Sequence, residues 1–214
     1  MLRRIKTAAF ESIQGRIFYG WVILVVAMLG MFGTGPGQSH LIGIFFDSLA
    51  TDLELPRTSV AAAYGSATLV AAFLLPQVGK LVDRFGAAGL MWILVLCLGL
   101  AAVMFSMAFN WIHIAIGFGF LLFLGQGSMM MTCANLVSQW FDQKRGMALG
   151  VMSLGFPISM AVHPPLAQWL IGQVGWRESW IWLGVATWVL LLPPVMILLF
   201  SKPEELGLTP DGGL

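Results

Sequence analysis

Ser128, Thr132, Asn135 and Gln139 are spaced by four, three and four residues. On a helix that spacing sets all four on one face. Their hydroxyl and amide groups can hydrogen-bond a polar solute along a pore wall, or they can join one helix to another. The stripe lies in a long apolar run, where an unpartnered polar group costs on the order of 2–7 kcal/mol. Thr34 and Gln38 form a second polar group, within Gly33-Thr34-Gly35-Pro36-Gly37-Gln38-Ser39-His40. Glycine and proline there either free backbone groups to face a cavity or kink a helix for packing. Tyr64 either reaches the same solute or sits in an interfacial aromatic belt.

Enzyme chemistry has one thin foothold. Ser128 follows Gly125-Gln126-Gly127, and His163 could act as its base. Such a pair must approach to about 3 Å. At about 1.5 Å of rise per residue, the two fall at opposite depths of their helices. No catalytic residue is therefore assigned, and an intramembrane hydrolase is only the remote alternative. His40, His113 and His163 all fall toward one end of the apolar runs. His40 and His163 either sense external pH or are satisfied packing groups. Cys97 and Cys133 sit in apolar runs, with no disulfide framework and no metal-ligand spacing. Without a nucleotide-binding loop, neither ATP-driven chemistry nor a cofactor is expected.

These residues must be positioned by helices in a bilayer. The chain has 214 residues, 58% hydrophobic and only 10% charged. Soluble domains carry about 25% charged residues. A net charge of +1 gives no reason to expect a nucleic-acid partner. Six runs are long and apolar enough to span: 19–46, 59–82, 89–109, 111–139, 146–172 and 179–200. None alternates as a strand would, and a lipid-exposed backbone must bond to itself, so the expected fold is all-α.

Charge orients the spans. Arg3, Arg4, Lys6, Arg16, Lys80, Arg84, Lys144, Arg145 and Lys202 fall on one side; only Arg57 and Arg177 fall on the other. Basic residues accumulate in cytoplasmic loops, which places both termini inside a plasma (bacterial inner) membrane. The expected organisation is a cytoplasmic segment 1–18, a six-helix domain 19–200 and a cytoplasmic tail 201–214. The third and sixth runs are greasy all round and should face lipid. The other four carry Gly, Ser, Thr, Asn and Gln and should face one another or a cavity. The order, two mixed then one greasy, occurs twice and suggests two three-helix repeats. Pro164-Pro165 should bend the fifth run near its outer end.

The loop after the second run reads Gly79-Lys80-Leu81-Val82-Asp83-Arg84-Phe85-Gly86. Glycine permits a tight turn, Asp83 suits a nearby helix N-terminus and Arg84 can bridge to an acid. This G-x-x-x-D-R-x-G pattern resembles the signature loop of the major facilitator superfamily. Further matches are Tyr19-Gly20-Trp21, the glycines of the fourth run, Trp140-Phe141 through Lys144-Arg145-Gly146 to Gly150, Gly175-Trp176-Arg177, and the tail from Lys202-Pro203 to Gly212. Together they resemble the branch of monocarboxylate transporters and oxalate:formate antiporters. One departure is Ala87-Ala88-Gly89, where that loop usually ends in basic residues.

The resemblance implies one half of a twelve-helix fold, with the fourth helix lining a central cavity. It implies secondary active transport of a small organic anion by alternating access, with Thr34, Gln38, Tyr64, Ser128, Thr132, Asn135 and Gln139 as path candidates. Gly79, Asp83, Arg84, Gly86, Arg145, Gly146 and Gly150 become gating and loop candidates. The implied partners are the lipid bilayer, a small organic solute and a second six-helix half, from a C-terminal half or a dimer mate. A non-transporting, truncated membrane subunit is the alternative.

Overall fold

The computed structural model describes residues 6–8, 10–11 and 17–212. Arg3, Arg4 and Arg16, expected in the first cytoplasmic segment, lie outside them. Regular structure among the described residues is helical throughout. The helices are α1 (Gly20–Gly33), α2 (Ser39–Ile42), α3 (Phe46–Asp52), α4 (Arg57–Leu74), α5 (Pro76–Phe85), α6 (Ala87–Phe105), α7 (Trp111–Leu121), α8 (Met130–Trp140), α9 (Arg145–Ser153) and α10 (Gly155–Leu198).

Among the described residues, three helical stretches are long and apolar enough to cross a membrane: Ala87–Phe105, Trp111–Trp140 and Arg145–Leu198. A fourth is added if α4 and α5, bent by 47°, count as one span. Pro76 opens α5 because it lacks an N–H and its ring crowds the preceding turn. α10 runs 44 residues, about 66 Å at the helical rise and twice the hydrocarbon thickness. It folds back at Gly175, whose φ of 78° and ψ of 169° only glycine adopts without strain. The backbone stays helical through Pro164 and Pro165, so the sharp break is at Gly175.

The run 19–46 is interrupted. α1 ends at Gly33, a 3-10 turn covers Gly35–Gly37, and α2 restarts at Ser39. A second non-α segment joins α7 to α8, where Leu122–Met129 form a π-helix.

Packing divides the greasy helices differently from expectation. α6 buries Met91, Leu94, Leu98, Ala102 and Phe105 and turns Leu100 and Met104 outward. Its buried face meets the second part of α10. There Gly184 sits on the backbone of Gly99, and the Trp188 indole N–H donates to the Leu96 carbonyl at 3.1 Å. The rings of Phe45, Trp180, Phe105 and Phe118 form a contact chain across the core at centroid spacings of 4.6–5.1 Å. By contrast, α4 exposes Leu69, Val70 and Phe73.

Arg177 clamps one end of the bundle. Its guanidinium donates to the carbonyls of Ser106 (2.9 Å) and Ala108 (2.8 Å) and to the Asp52 carboxylate (2.8 Å), and lies 4.4 Å from the Trp176 ring. A lysine cannot reproduce this fork. Arg177→Lys should lower stability by about 1–2 kcal/mol, read as a lower unfolding midpoint in detergent.

Candidate functional site

The 3-10 turn and the π segment meet face to face. Gly37 and Gly125 touch backbone to backbone, so a Cβ on either would lie 2.7 Å from the other's Cα. Only glycine permits this approach. The crossing buries the nearby polar groups. Thr34 donates to the Met31 carbonyl at 2.7 Å. The Gln38 amide donates to Thr34 Oγ1 at 2.8 Å and lies 3.4 Å from Met130 Sδ. Thr34 and Gln38 therefore form a buried, mutually bonded pair.

The stripe on the fourth run divides by depth. Ser128 and Thr132 are fully buried and bond to their own helix, Ser128 to the Phe123 carbonyl and Thr132 to the Ser128 carbonyl, each at 2.7 Å. Asn135 is half-buried and Gln139 exposed. Both line a 140 Å³ cavity shared with Val82, Asp83, Gly86, Ala87, Ser201 and Lys202. The structure thus brings Asn135 and Gln139 to Asp83, while Ser128 and Thr132 pack the interior. Tyr64 lies apart, half-buried, with its ring 5.7 Å from Phe46 and 5.8 Å from Phe118. Two apolar clefts of 390 Å³ and 380 Å³ beside Ile116 and Phe120 hold none of the stripe.

Gly86 ends α5 with φ of +72°, a left-handed turn that leads straight into α6. Its backbone abuts Ser201, whose Oγ accepts the Ala88 N–H at 3.1 Å. The Arg84 guanidinium lies 5.4 Å from the Phe85 ring rather than on an acid. Arg145 pairs with Asp142 at 3.3 Å. Gly79 is loosely packed, a Cβ there meeting only Met131 at 3.9 Å. Gly146 and Gly150 face open space, with nothing within 4 Å of a Cβ. Ser128 and His163 have separate partners: His163 Nδ1 lies 2.9 Å from Ser159 Oγ. Ser128 and His163 therefore form no dyad.

The tail carries contacts that spacing does not reveal. The carbonyls of Leu198, Leu199 and Phe200 accept from the Tyr19 hydroxyl (2.9 Å), Lys6 Nζ (2.8 Å) and the Trp140 indole (3.1 Å). Burial pushes the Lys6 ammonium below its ordinary value, and Glu205 opposes this. Asp211 then accepts the backbone N–H groups of Asp142 (2.9 Å), Gln143 (2.6 Å) and Lys144 (3.3 Å). Asp211 stands at φ of 59°, a conformation aspartate tolerates better than most side chains. Desolvation alone would raise its carboxyl, but those three N–H groups and the Lys144 charge outweigh it and hold the carboxyl below its ordinary value.

A depressed carboxyl stabilises above its unfolded value and loses that contribution as pH falls through the folded one. The tail should therefore stay docked at neutral pH and release in acid. Limited proteolysis by a glutamate-specific protease at Glu204 and Glu205 checks this: cleavage should speed up on acidification, and Asp211→Asn should cleave fast at every pH.

The family model for the Major Facilitator Superfamily matches residues 20–213. Human monocarboxylate transporter 11 is 26% identical over 184 residues, covering 83% of this chain and 39% of that protein. The 4-hydroxybenzoate transporter PcaK of Pseudomonas aeruginosa is 25% identical over 205 residues, covering 95% and 44%. A probable sulfoacetate transporter, SauU, of Cupriavidus necator is 29% identical over 116 residues, covering 53% and 27%. The chain thus spans about two fifths of the length of the first two. These relatives are transporters, not enzymes. A match that runs from the start of α1 through the docked tail shows that the chain belongs to the Major Facilitator Superfamily.

Proposed function

We propose that this chain is one half of a secondary transporter for small organic anions, working by alternating access with a second half. Folding α10 at Gly175, joining α1 to α2 and α3, and joining α4 to α5 would make six spans, arranged as two three-helix repeats. The basic loops at Lys80–Arg84 and Lys144–Arg145 and the tail then lie in the cytoplasm, with both termini.

One observation carries the reading. α4 presents Ala61, Gly65, Thr68 and Ala72, and α9–α10 present Gly146, Gly150, Ser153, Pro157 and Ala161, all small and all exposed. Each set is spaced by threes and fours and so forms one face. Small residues let two helices approach closely, which is what a rocking interface between halves needs. The buried Thr34–Gln38 pair and the Asn135–Gln139 cavity supply polar groups behind that interface. Monocarboxylates, hydroxybenzoate and sulfoacetate in the relatives' names share one feature, a small organic acid.

The test is uptake of labelled lactate, formate, oxalate and 4-hydroxybenzoate into proteoliposomes carrying this chain with a second half. Uptake that is saturable and needs both halves supports the reading. Absence of flux for all four acids, with both halves folded, overturns it.

A further inference from the structure

We propose that α7 carries a binding site for one two-chain lipid with a net-neutral headgroup, one acyl chain lying in each of the two apolar clefts that flank it. The site goes beyond the transport reading and needs only that the chain lies in a bilayer.

The two clefts share a ridge. Ile116, Phe120 and Phe123 line both, and at i, i+4 and i+7 they stand on one helical face. Leu100 and Met104 of α6 wall one cleft on its far side, and Val70 and Leu74 of α4 wall the other. Small residues floor them, Ala101 and Gly117 in the first, Ala67, Ala71 and Gly119 in the second. Their volumes are nearly equal, 390 Å³ and 380 Å³. Both clefts begin at the same end of the bundle, where the Trp111 indole N–H donates to the Ser59 carbonyl at 2.8 Å. From His113 to Phe123 is about 15 Å at the helical rise, half of the roughly 30 Å hydrocarbon core. Each cleft thus lies within one leaflet.

The lining selects hydrocarbon. The Ser66 hydroxyl donates to the Ala63 carbonyl at 2.9 Å, and His113 at the mouth holds Asn110 Oδ1 at 2.9 Å. An empty groove forfeits dispersion contacts along its walls. Lipid tails are as apolar as leucine, so shape decides the occupant. A partner helix is about 10 Å across; it would ride on the ridge and leave both clefts unfilled. Two flexible chains joined at one headgroup fill both. On α4, Ser66, Val70 and Leu74 stand opposite the small face of Ala61, Gly65, Thr68 and Ala72. A second half seated on that face leaves the clefts facing lipid.

Charge selects the headgroup. At this end Asp47 pairs with Arg57 and Asp52 with Arg177, which leaves Glu54 and Glu178 in excess. Excess acid repels an anionic headgroup and accepts one whose phosphate is balanced by an ammonium.

The experiment uses the chain in phosphatidylcholine nanodiscs with a trace of phosphatidylcholine carrying a diazirine midway along one chain. After illumination, labelled peptides are mapped by mass spectrometry. Leu100 to Met104 and Val70 to Leu74 should carry about tenfold more label than the exposed Trp182 and Val189 of α10, the worth of roughly ten added atom contacts. Gly119→Phe fills the α4-side cleft, where nothing lies within 4 Å of a Cβ. Because the two chains belong to one molecule, label on both walls should fall to the α10 level. A one-chain probe, lysophosphatidylcholine with the same diazirine, should show no enrichment. In discs of phosphatidylglycerol the two-chain neutral probe should gain about threefold more, the scale of one exposed charge interaction. The proposal is overturned by label spread evenly round the protein, by α6 label that survives Gly119→Phe, by equal enrichment of the one-chain probe, or by no gain in phosphatidylglycerol. If Gly119→Phe does not fold, the two-chain against one-chain comparison in the unaltered protein decides.

Discussion

Gly37→Leu should yield no folded protein. Its first side-chain carbon would lie 2.7 Å from the Gly125 Cα and closer still to the Leu121 carbonyl oxygen. Those are backbone atoms, which cannot swing aside. Overpacking a core usually costs about 1–3 kcal/mol, and a clash between two backbones lies at or above the top of that range. The loss would spread, because separating the 3-10 turn from the π segment exposes Thr34 and Gln38 to lipid without new partners. Gly43→Ala is the matched control, since nothing lies within 4 Å of its Cβ. Size-exclusion profiles and unfolding midpoints in detergent should separate the two: aggregated or absent for Gly37→Leu, near normal for Gly43→Ala.

Gly150→Trp has the opposite character. The site is exposed, with open space where the side chain would go, so the chain should fold and insert normally. If the small-residue face on α9–α10 meets a second half, an indole there holds the halves apart. Uptake should fall at least about 100-fold, the scale on which misplacing a catalytic constellation by an ångström acts. Gly65→Trp on α4 should do the same. Co-purification of the halves, measured beside uptake, separates a docking failure from a transport failure. Near-normal uptake in both variants would show that neither face is an interface.

Much of this arrangement is legible from residue types. The G-x-x-x-D-R-x-G pattern and the long apolar runs identify the family that the comparison over residues 20–213 shows. The expected turn between 172 and 179 is there, reduced to the single left-handed Gly175. The Gly/Pro-rich stretch 33–37 does interrupt a helix. Other features escape. Spacing places Ser128 and Gln139 on one face, but it carries no depth, and depth buries the first and exposes the second. Hydrophobicity alone assigned α6 to lipid, although a helix greasy all round can equally turn one side to the core. The Asp211 contacts join residues 67–69 positions apart, beyond the reach of any local pattern.

The π segment at Leu122–Met129 bears on how this chain is compared with its relatives. A π-bulge behaves as an extra residue slipped into an α-helix. A homologue of equal length with plain α-helix there would have α8 turned by about 100°, one residue's share of a 3.6-residue turn. The amide groups now beside Asp83 would then be replaced by neighbours from another azimuth. Alignments across this helix therefore need two independent registers, one on each side of the inserted residue. Identical letters at positions 135 and 139 signify a shared lining only when both registers agree.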